Sequence, residues 1–147
     1  MNVRFKLVLP LLLLLALPAV MQAQFDYVIT NGTATITKYM GFGGAVPIPG
    51  MINGYPVTTI GPGAFANANL SSITITNTIT AIGDGAFYDC VGLTELIIPS
   101  SVRSIGASAF AGCFGLTGVT IPFSVTNLGD VAFYGCGNMI GIVVNGR

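Results

Sequence analysis

The sequence predicts an α/β solenoid: a stack of about four coils of roughly 22–23 residues each, with a short parallel sheet on one face and short helical turns on the other, preceded by a β-hairpin cap. Three observations predict it. A segment containing Ala-Phe recurs at a nearly constant spacing, a block of spaced apolar residues follows each copy, and an Asn-Gly pair joins two alternating segments near the N-terminus. With 147 residues, the chain has room for one domain of this kind.

The N-terminal segment, residues 1–24, has the features of a secretory signal peptide. Arg4 and Lys6 form a positive start, the run from Leu7 to Leu17 is apolar, and Ala23 is a small residue at the expected cleavage point. Met21, three positions before the cleavage point, matches the consensus weakly, so an uncleaved N-terminal membrane anchor is the alternative. Both interpretations place the rest of the chain outside the cell, either secreted or at the cell surface.

The next segment, residues 25–59, is predicted to be a cap made of a β-hairpin and half a repeat. Residues 27–30 and 33–37 alternate between apolar and polar types, and Asn31-Gly32 joins them, which is the strongest short-range hairpin signal. Residues 46–52 resemble the second half of a repeat. Such a half coil would shield the apolar end of the first full coil from water.

Four aromatic residues mark the repeat. Phe65, Phe87, Phe110 and Phe133 recur with a period of about 23 residues, the first interval being one position shorter than the others. Each lies in a segment of the form Ile/Leu-Gly-x-x-Ala-Phe. This segment does not alternate and carries Ala and Phe near helical spacing, so we expect a turn of helix there. The predicted units are residues 60–81, 82–104, 105–127 and 128–147.

Each unit continues into a second block in which apolar residues have the spacing L-x-x-L-x-L. The last three positions alternate as a short strand does, and Pro99 or Pro122 follows, where a strand must end because proline cannot donate to a ladder. Stacking the coils would bury these apolar columns, at about 2 kcal/mol for each large side chain. The columns are Leu70, Ile73 and Ile75; Leu93, Leu96 and Ile98; Leu116, Val119 and Ile121; and Met139, Ile142 and Val144.

The full pattern, I-G-x-x-A-F-x-x-C-x-x-L-x-x-[IV]-x-I-P-x-S-V, resembles the BspA-type leucine-rich repeat of bacterial surface and secreted proteins and of some protist surface proteins. The similarity extends from Ile60 to about Val144. It implies a leucine-rich-repeat solenoid and a role in adhesion to host or matrix proteins or in coaggregation. No fixed motif of that family marks a binding residue that maps onto this chain.

Composition argues against most other function classes. Only 7% of the residues are charged, and five Lys and Arg cannot form the basic face that nucleic acid requires. Histidine is absent, which excludes Ser-His-Asp and Cys-His catalysis and histidine-ligated metals. The stretch Gly61–Ala66 fits a dinucleotide fingerprint, but its equivalents recur in the same slot of each repeat. We therefore expect no enzyme, no cofactor and no metal site.

The cysteines and two aspartates also follow the repeat. Cys90, Cys113 and Cys136 recur once per repeat, which favours a buried ladder of small side chains over a zinc site. A disulfide between two neighbouring coils is the alternative, because export permits oxidation. Asp84 and Asp130 share the slot after the repeat glycine, where an aspartate suits a helix N-cap.

The strand positions that point away from the core are the candidates for partner contact. They form a small, nearly uncharged and partly β-branched row that is easily desolvated, although an inert solvent-exposed sheet would look the same. The candidates are Ser72, Thr74, Thr76, Glu95, Ile97, Thr120 and Val143, with Gly118 and Gly141 between them.

The favoured hypothesis is a secreted or cell-surface module that binds a protein of a host, a matrix or a neighbouring cell, with membrane contact only through an uncleaved signal segment. The alternative is a self-assembling structural element or a fragment of a longer surface protein, because no C-terminal cap is recognisable after the last strand. Ice binding through Thr74–Thr80 is a third hypothesis, weakened because the threonine pairs do not recur from coil to coil.

Overall fold

The computed structural model describes residues 23–145, and the predicted signal peptide lies outside this range apart from its last two residues. Within the described residues the regular structure consists of strands only. In chain order they are β1 (Phe25–Thr30), β2 (Thr33–Tyr39), β3 (Gly44–Pro47), β4 (Met51–Ile52), β5 (Tyr55–Ile60), β6 (Leu70–Thr74), β7 (Ala81–Ile82), β8 (Glu95–Leu96), β9 (Ser104–Ile105), β10 (Gly118–Ile121), β11 (Asn127–Leu128) and β12 (Gly141–Val144).

The first sheet of the solenoid contains the strands of the L-x-x-L-x-L blocks. β3, β6 and β8 pair in parallel, as do β10 and β12, and a bridge between Ile97 and Thr120 joins the two groups. The five strands correspond to five coils, so the expected number of four was too low. The segment predicted as half a repeat contributes strands to both faces of the stack, with Val46 in register with Ile73.

A second parallel sheet, which the sequence analysis did not foresee, lies across the core from the first. Its strands are β2, β5, β7, β9 and β11, with β1 at its edge. In the repeats it is formed by the residue before each Ile/Leu-Gly pair together with the Ile or Leu itself, and Ile60, Ile82 and Ile105 fill the core beneath it. Two-residue strands such as β7 are too short to show an alternating pattern in the sequence, so only their stacking reveals them.

The predicted hairpin is present and closes the N-terminal end of the stack. β1 and β2 pair antiparallel around Asn31 and Gly32, which have φ angles of 51° and 76°, as a type I′ turn requires. β2 also pairs in parallel with β5, so the hairpin extends the second sheet. Tyr39 stacks on Phe65 at 5.2 Å between ring centroids and begins the aromatic column.

The segments expected to be helical turns are not helices. We call residues 61–68, 83–90, 106–113 and 129–136 the turn segments. Each contains two residues with left-handed φ four positions apart, which an α-helix cannot contain. They are Gly63 and Asn67, Gly85 and Asp89, Ser108 and Gly112, and Val131 and Gly135.

Hydrogen bonds show why the turn segment is favoured over a helix. Its N–H groups alternate between two kinds of acceptor. Ala66 N–H donates to the Gly63 carbonyl three residues back at 3.0 Å, whereas Phe65 N–H donates to the Ala86 carbonyl of the next coil at 2.7 Å. Half of these N–H groups therefore donate to the next coil. In a helix, the same N–H groups would donate within the segment. The helical expectation was wrong because tertiary stacking outweighed the local Ala-Phe spacing.

One left-handed residue is β-branched, and this predicts a stabilising substitution. Val131 has a φ of 51° and is exposed, while glycine occupies its slot in the first two turn segments, at Gly63 and Gly85. We expect Val131→Gly to raise the free energy of unfolding by about 1 kcal/mol, because glycine adopts this conformation without strain.

Urea unfolding followed by circular dichroism tests this expectation. Val91→Gly is the matched control, because Val91 is comparably exposed but is not among the residues with positive φ. The control should lower the free energy of unfolding by about 0.5–1 kcal/mol, the ordinary effect of added backbone freedom. A decrease of the same size for Val131→Gly would contradict the prediction.

The core is a continuous set of ladders. Phe65, Phe87 and Phe110 are fully buried and stack ring on ring, followed by Phe133, with centroid distances of 4.9, 5.1 and 5.3 Å. The core runs from Phe25 to Met139 and so lies within residues 24–147. Residues 24–147 therefore contain every core residue of the described part of the chain.

The three cysteines form the expected ladder beside the rings. Each thiol donates to the carbonyl of a phenylalanine in the preceding coil, as in the 3.1 Å bond from Cys90 to Phe65, and all three are free thiols. Burial raises the pKa of the Cys136 thiol. This thiol is therefore held in its protonated form and is not activated as a nucleophile.

Candidate functional site

The first sheet presents one side to the core and the other to solvent. Along β6 and β10, Ile73, Val119 and Ile121 point inward and are buried, and the residues between them point outward. We call the outward positions of the five strands the outer face. In two rows along the stack they are Ala45, Ser72, Glu95, Gly118 and Gly141, and Pro47, Thr74, Ile97, Thr120 and Val143.

Six of the seven predicted contact residues lie on the outer face. Five of them are exposed and Ser72 is half-buried. Thr76, the seventh, lies beyond the end of β6, where it is half-buried and its hydroxyl is 2.9 Å from that of Thr78. The structure therefore does not place Thr76 in a paired strand. The other six are Ser72, Thr74, Glu95, Ile97, Thr120 and Val143.

The second row of the outer face is an uncharged ridge. Ile97 is 79% exposed at its middle, Thr74 and Thr120 lie on either side of it in neighbouring strands, and Val143 ends the row. Glu95, in the first row, is the single ionisable residue of the outer face. At the usual spacing between strands, five strands give a ridge about 19 Å long. Removing water from the ridge costs little free energy, because no charged group on it loses its hydration.

Beside the ridge, the two glycines of the first row leave an open depression of about 1020 Å³. A Cβ atom added to Gly141 would have nothing within 4 Å, and one added to Gly118 would meet only the Gly141 carbonyl oxygen, at 3.4 Å. The floor of the depression is therefore bare backbone. Glu95, Ile97 and Ile140 are among the residues that line it.

Ile140 is the contact candidate that sequence reasoning missed. It is 95% exposed and lies on the rim of the depression. The L-x-x-L-x-L pattern assigns no role to its slot. The equivalent residues, Ser71, Thr94 and Thr117, are all polar, so an isoleucine at this slot is the signal that could have identified it.

A second depression, of about 780 Å³, follows the glycines that begin the turn segments, with Asp84 and Asp130 on its border. Asp84 was predicted to cap a helix. It instead accepts a hydrogen bond at 2.8 Å from the N–H of Ala107 in the next coil. This aspartate is thus a contact between coils, and the floor of the depression is formed where coil backbones approach closely.

Side chains that could carry out bond-making chemistry do not converge in the described part of the chain. Among residues 23–145, no group of three His, Cys, Asp or Glu side chains is placed to hold a metal ion. The Gly61–Ala66 segment enters a turn segment, not a helix, and so lacks the helix N-terminus on which a dinucleotide phosphate binds.

The repeat architecture agrees with a sequence comparison. The profile described as "BspA type Leucine rich repeat region (6 copies)" matches residues 41–146. The chain belongs to the BspA-type leucine-rich repeat family. The match begins within the segment predicted as the cap, in agreement with the additional coil seen in the fold. No curated protein is similar enough to be matched.

Several solved structures resemble the chain. A leucine-rich repeat protein from Bacteroides capillosus is 31% identical, with a TM-score of 0.76, covering 84% of this chain and 95% of its own. A leucine rich cell surface protein from Faecalibacterium prausnitzii is 29% identical, with a TM-score of 0.65, covering 83% and 41%. The pneumococcal vaccine antigen PcpA, 19% identical with a TM-score of 0.65 over 83% of this chain and 36% of its own, shares the fold.

Residues 23–145 of this BspA-type chain contain no helix long and apolar enough to cross a membrane. The apolar run from Leu7 to Leu17, on which the signal-peptide prediction rests, lies outside those residues.

Proposed function

We propose that this chain is a secreted or cell-surface protein that binds a protein partner through the outer face and carries out no catalysis. The observation that carries the proposal is the ridge of Thr74, Ile97, Thr120 and Val143 beside the glycine-floored depression. An exposed isoleucine on a rigid strand next to open space is the kind of anchor that a protein interface uses.

Rigidity and low charge support binding to a protein over the other partner classes. The outer-face residues are held by parallel pairing to neighbouring coils, so little conformational entropy is lost on contact. A ridge whose only nearby charge is Glu95 is unsuited to the phosphates of nucleic acid. A depression with a backbone floor suits several apolar side chains of a partner protein, which would occupy it and cover Ile97 and Ile140.

Location outside the cell is part of the proposal. The predicted signal peptide supports it, as does the similarity to a protein that is named a leucine rich cell surface protein. Host, matrix and neighbouring-cell proteins are the partners that such a location offers, and the BspA-type family membership supports the same class.

A self-associating structural element is the second candidate function. Within residues 23–145, Ile142 and Val144 of the last coil are exposed although their slots point into the core in the other coils, and either a second copy or further repeats would cover them. The ridge itself is short, and a standard specific interface buries about 800 Å² on each partner. Association of copies would enlarge the surface available for contact.

Binding measurements on residues 24–147 test the proposed function. Purified extracellular-matrix proteins, fixed on a surface plasmon resonance chip, are exposed to the wild type, to Ile97→Lys and to Ile97→Thr. We expect at least one matrix protein to bind the wild type and Ile97→Lys to weaken that binding about tenfold or more, because a charge would be placed in the contact. Ile97→Thr, which repeats the residue type of Thr74 and Thr120, should weaken it less.

Val91→Lys is the matched control for this test. Val91 is exposed directly after a turn segment, next to Cys90 and away from the outer face, and should tolerate lysine without loss of binding. Equal binding by the wild type and Ile97→Lys would rule out the outer face as the contact site. An absence of binding across matrix proteins and whole neighbouring bacterial cells would count against the adhesion role as a whole.

A further inference from the structure

The turn-segment side of the stack carries two exposed tyrosines that the core does not require. Tyr88 and Tyr134 each follow a phenylalanine of the aromatic column, and they are 49% and 74% exposed. The same slot holds alanine in the other two repeats, at Ala66 and Ala111. Because alanine is sufficient for the fold at this slot, a large aromatic ring exposed there is a candidate contact group.

Hydrogen bonds between coils align these residues in one row. Asp89 N–H donates to the Ala111 carbonyl and Gly112 N–H donates to the Tyr134 carbonyl, both at 2.8 Å. The two tyrosines are therefore two coils apart, or about 10 Å, and the buried Ala111 lies between them. We call the space above Ala111, between Tyr88 and Tyr134, the tyrosine notch.

The width of the tyrosine notch corresponds to one missing ring. In the adjacent aromatic column every coil supplies a phenylalanine, and the ring centroids lie 4.9, 5.1 and 5.3 Å apart. Ala111 interrupts the tyrosine row, so a flat group placed above it would lie about 5 Å from both tyrosine rings. A cation within roughly 6 Å of a ring centroid is attracted to the face of that ring.

A carboxylate lies beside the tyrosine notch. A Cβ atom added to Gly112, the residue after Ala111, would lie 2.8 Å from Oδ1 of Asp89, so this carboxylate extends over the coil that forms the floor. The charged side chains of the four turn segments are Asp84, Asp89 and Asp130, without any lysine or arginine. The charge around the notch is therefore negative, and charge complementarity favours a cationic occupant.

We propose that the tyrosine notch binds the side chain of an arginine in a partner protein. The guanidinium group is planar, so it can stack between the two tyrosine rings while its N–H groups donate to the Asp89 carboxylate. A lysine ammonium is a compact point charge and lacks the flat faces that stack on two rings. Backbone hydrogen bonds already hold the three coils in place, so little conformational entropy is lost on binding.

The tyrosine notch is a second contact site, separate from the outer face. The outer face belongs to the first sheet, whereas the notch belongs to the turn segments of residues 83–90, 106–113 and 129–136. All three turn segments are described, so the notch does not depend on what covers the last coil. A partner that reached both sites at once would bind more tightly than through either site alone.

Titration of nitrogen-15-labelled residues 24–147 with a capped Gly-Arg-Gly peptide, followed by NMR at constant ionic strength, tests the proposal. We expect saturable shifts of the amide signals of Tyr88, Ala111 and Tyr134. The same peptide with citrulline in place of arginine has nearly the same shape but no charge. It should bind at least about fivefold more weakly, because the attraction to the ring faces and to Asp89 is lost.

Variants that copy residue types from other repeats test each part of the notch while keeping the fold. Asp89→Asn repeats Asn67, which has the same left-handed conformation, and Tyr134→Ala repeats the alanine of other coils. Each should weaken binding of the arginine peptide about three- to fivefold. Ala111→Tyr should abolish binding, because a third ring would fill the notch. Tyr55→Ala removes an exposed tyrosine of β5 and is the matched control, which should bind as the wild type does.

Three results would overturn the proposal: no saturable shift at the notch, equal binding of the citrulline peptide, or unchanged binding by Asp89→Asn or by Ala111→Tyr. Circular dichroism and thermal unfolding check that each variant is folded. Failure of the notch is distinguishable from failure of the outer face. Ile97→Lys changes the first sheet, so it should lose matrix binding and still bind the arginine peptide as the wild type does.

Discussion

Replacing Phe110 by alanine is expected to lower the free energy of unfolding by about 4 kcal/mol. Phe110 is fully buried inside the aromatic column, between Phe87 and Phe133. Its ring stacks 5.1 Å from Phe87 and 5.3 Å from Phe133, both at an interplanar angle of 4°. Alanine would remove both ring contacts and leave a cavity between coils that backbone hydrogen bonds hold at a fixed spacing.

The size of this effect follows from the repeat architecture. Each coil contacts only its neighbours, so a cavity in the middle weakens the interfaces on both sides of it. A total stability of about 5–15 kcal/mol is usual for a domain, so Phe110→Ala would remove a large part of it. Urea unfolding followed by circular dichroism measures the loss.

Phe123→Ala is the control for this prediction, because Phe123 is 77% exposed and its removal should change the free energy of unfolding by less than about 0.5 kcal/mol. Phe110→Leu should fall between the two, since leucine refills part of the cavity. Similar losses for Phe110→Ala and Phe123→Ala would show that the rings do not form the column described above.

The second large effect is expected from a glycine. Gly106→Ala should lower the free energy of unfolding by about 3 kcal/mol, although alanine ordinarily stabilises a backbone that does not require left-handed φ. A Cβ atom at this position would lie 2.5 Å from the Asp84 backbone nitrogen and 2.6 Å from the Gly83 carbonyl carbon. Both are backbone atoms of the preceding coil, so the two coils would have to separate, and the bond from Ala107 N–H to Asp84 would be strained.

Gly141→Ala provides the matched comparison, because a Cβ atom there would have nothing within 4 Å. We expect its free energy of unfolding to stay within about 0.5 kcal/mol of the wild type. Thermal and urea unfolding of the two variants, measured side by side, give the difference. A Gly106→Ala protein as stable as Gly141→Ala would mean that the coils are not as closely spaced on the second-sheet side as the structure has them.

The register in which the coils stack was predictable from the repeat period. Phenylalanines that recur once per repeat can be buried together only if successive coils are superimposed, which also aligns the isoleucine and cysteine ladders. The hairpin was predictable for a local reason, since Asn31-Gly32 adopts the φ angles of a tight turn without help from the rest of the fold.

The second sheet and the turn segments were not predictable in the same way. A two-residue strand such as β9 has no period of its own, and it exists because Ser104 and Ile105 pair with the equivalent residues of the coils on both sides. The Ala-Phe spacing suggests a helix when a single coil is considered alone. Donors that reach the next coil, such as Phe87 N–H at 2.7 Å from the Ala109 carbonyl, change that preference.

For the candidate site, the alternation of apolar residues in the sequence identified the outward positions Ile97 and Val143, because a strand turns successive side chains to opposite faces. The depression required the structure, since it arises from two glycines, Gly118 and Gly141, that are one repeat apart in the sequence and adjacent in space. The exposure of Ile140 on its rim likewise depends on which coil lies next to it.

By itself, the sequence determined which residues repeat, and hence that the chain stacks in register, that its core is a set of ladders, and that one strand face is nearly uncharged. Only the tertiary structure decided how the backbone between those residues satisfies its hydrogen bonds and how many coils the described residues form. The physical reason is that the spacing of the apolar side chains can be read within each repeat. The partner of a backbone donor or of an exposed side chain lies in a neighbouring coil, a full repeat away along the sequence.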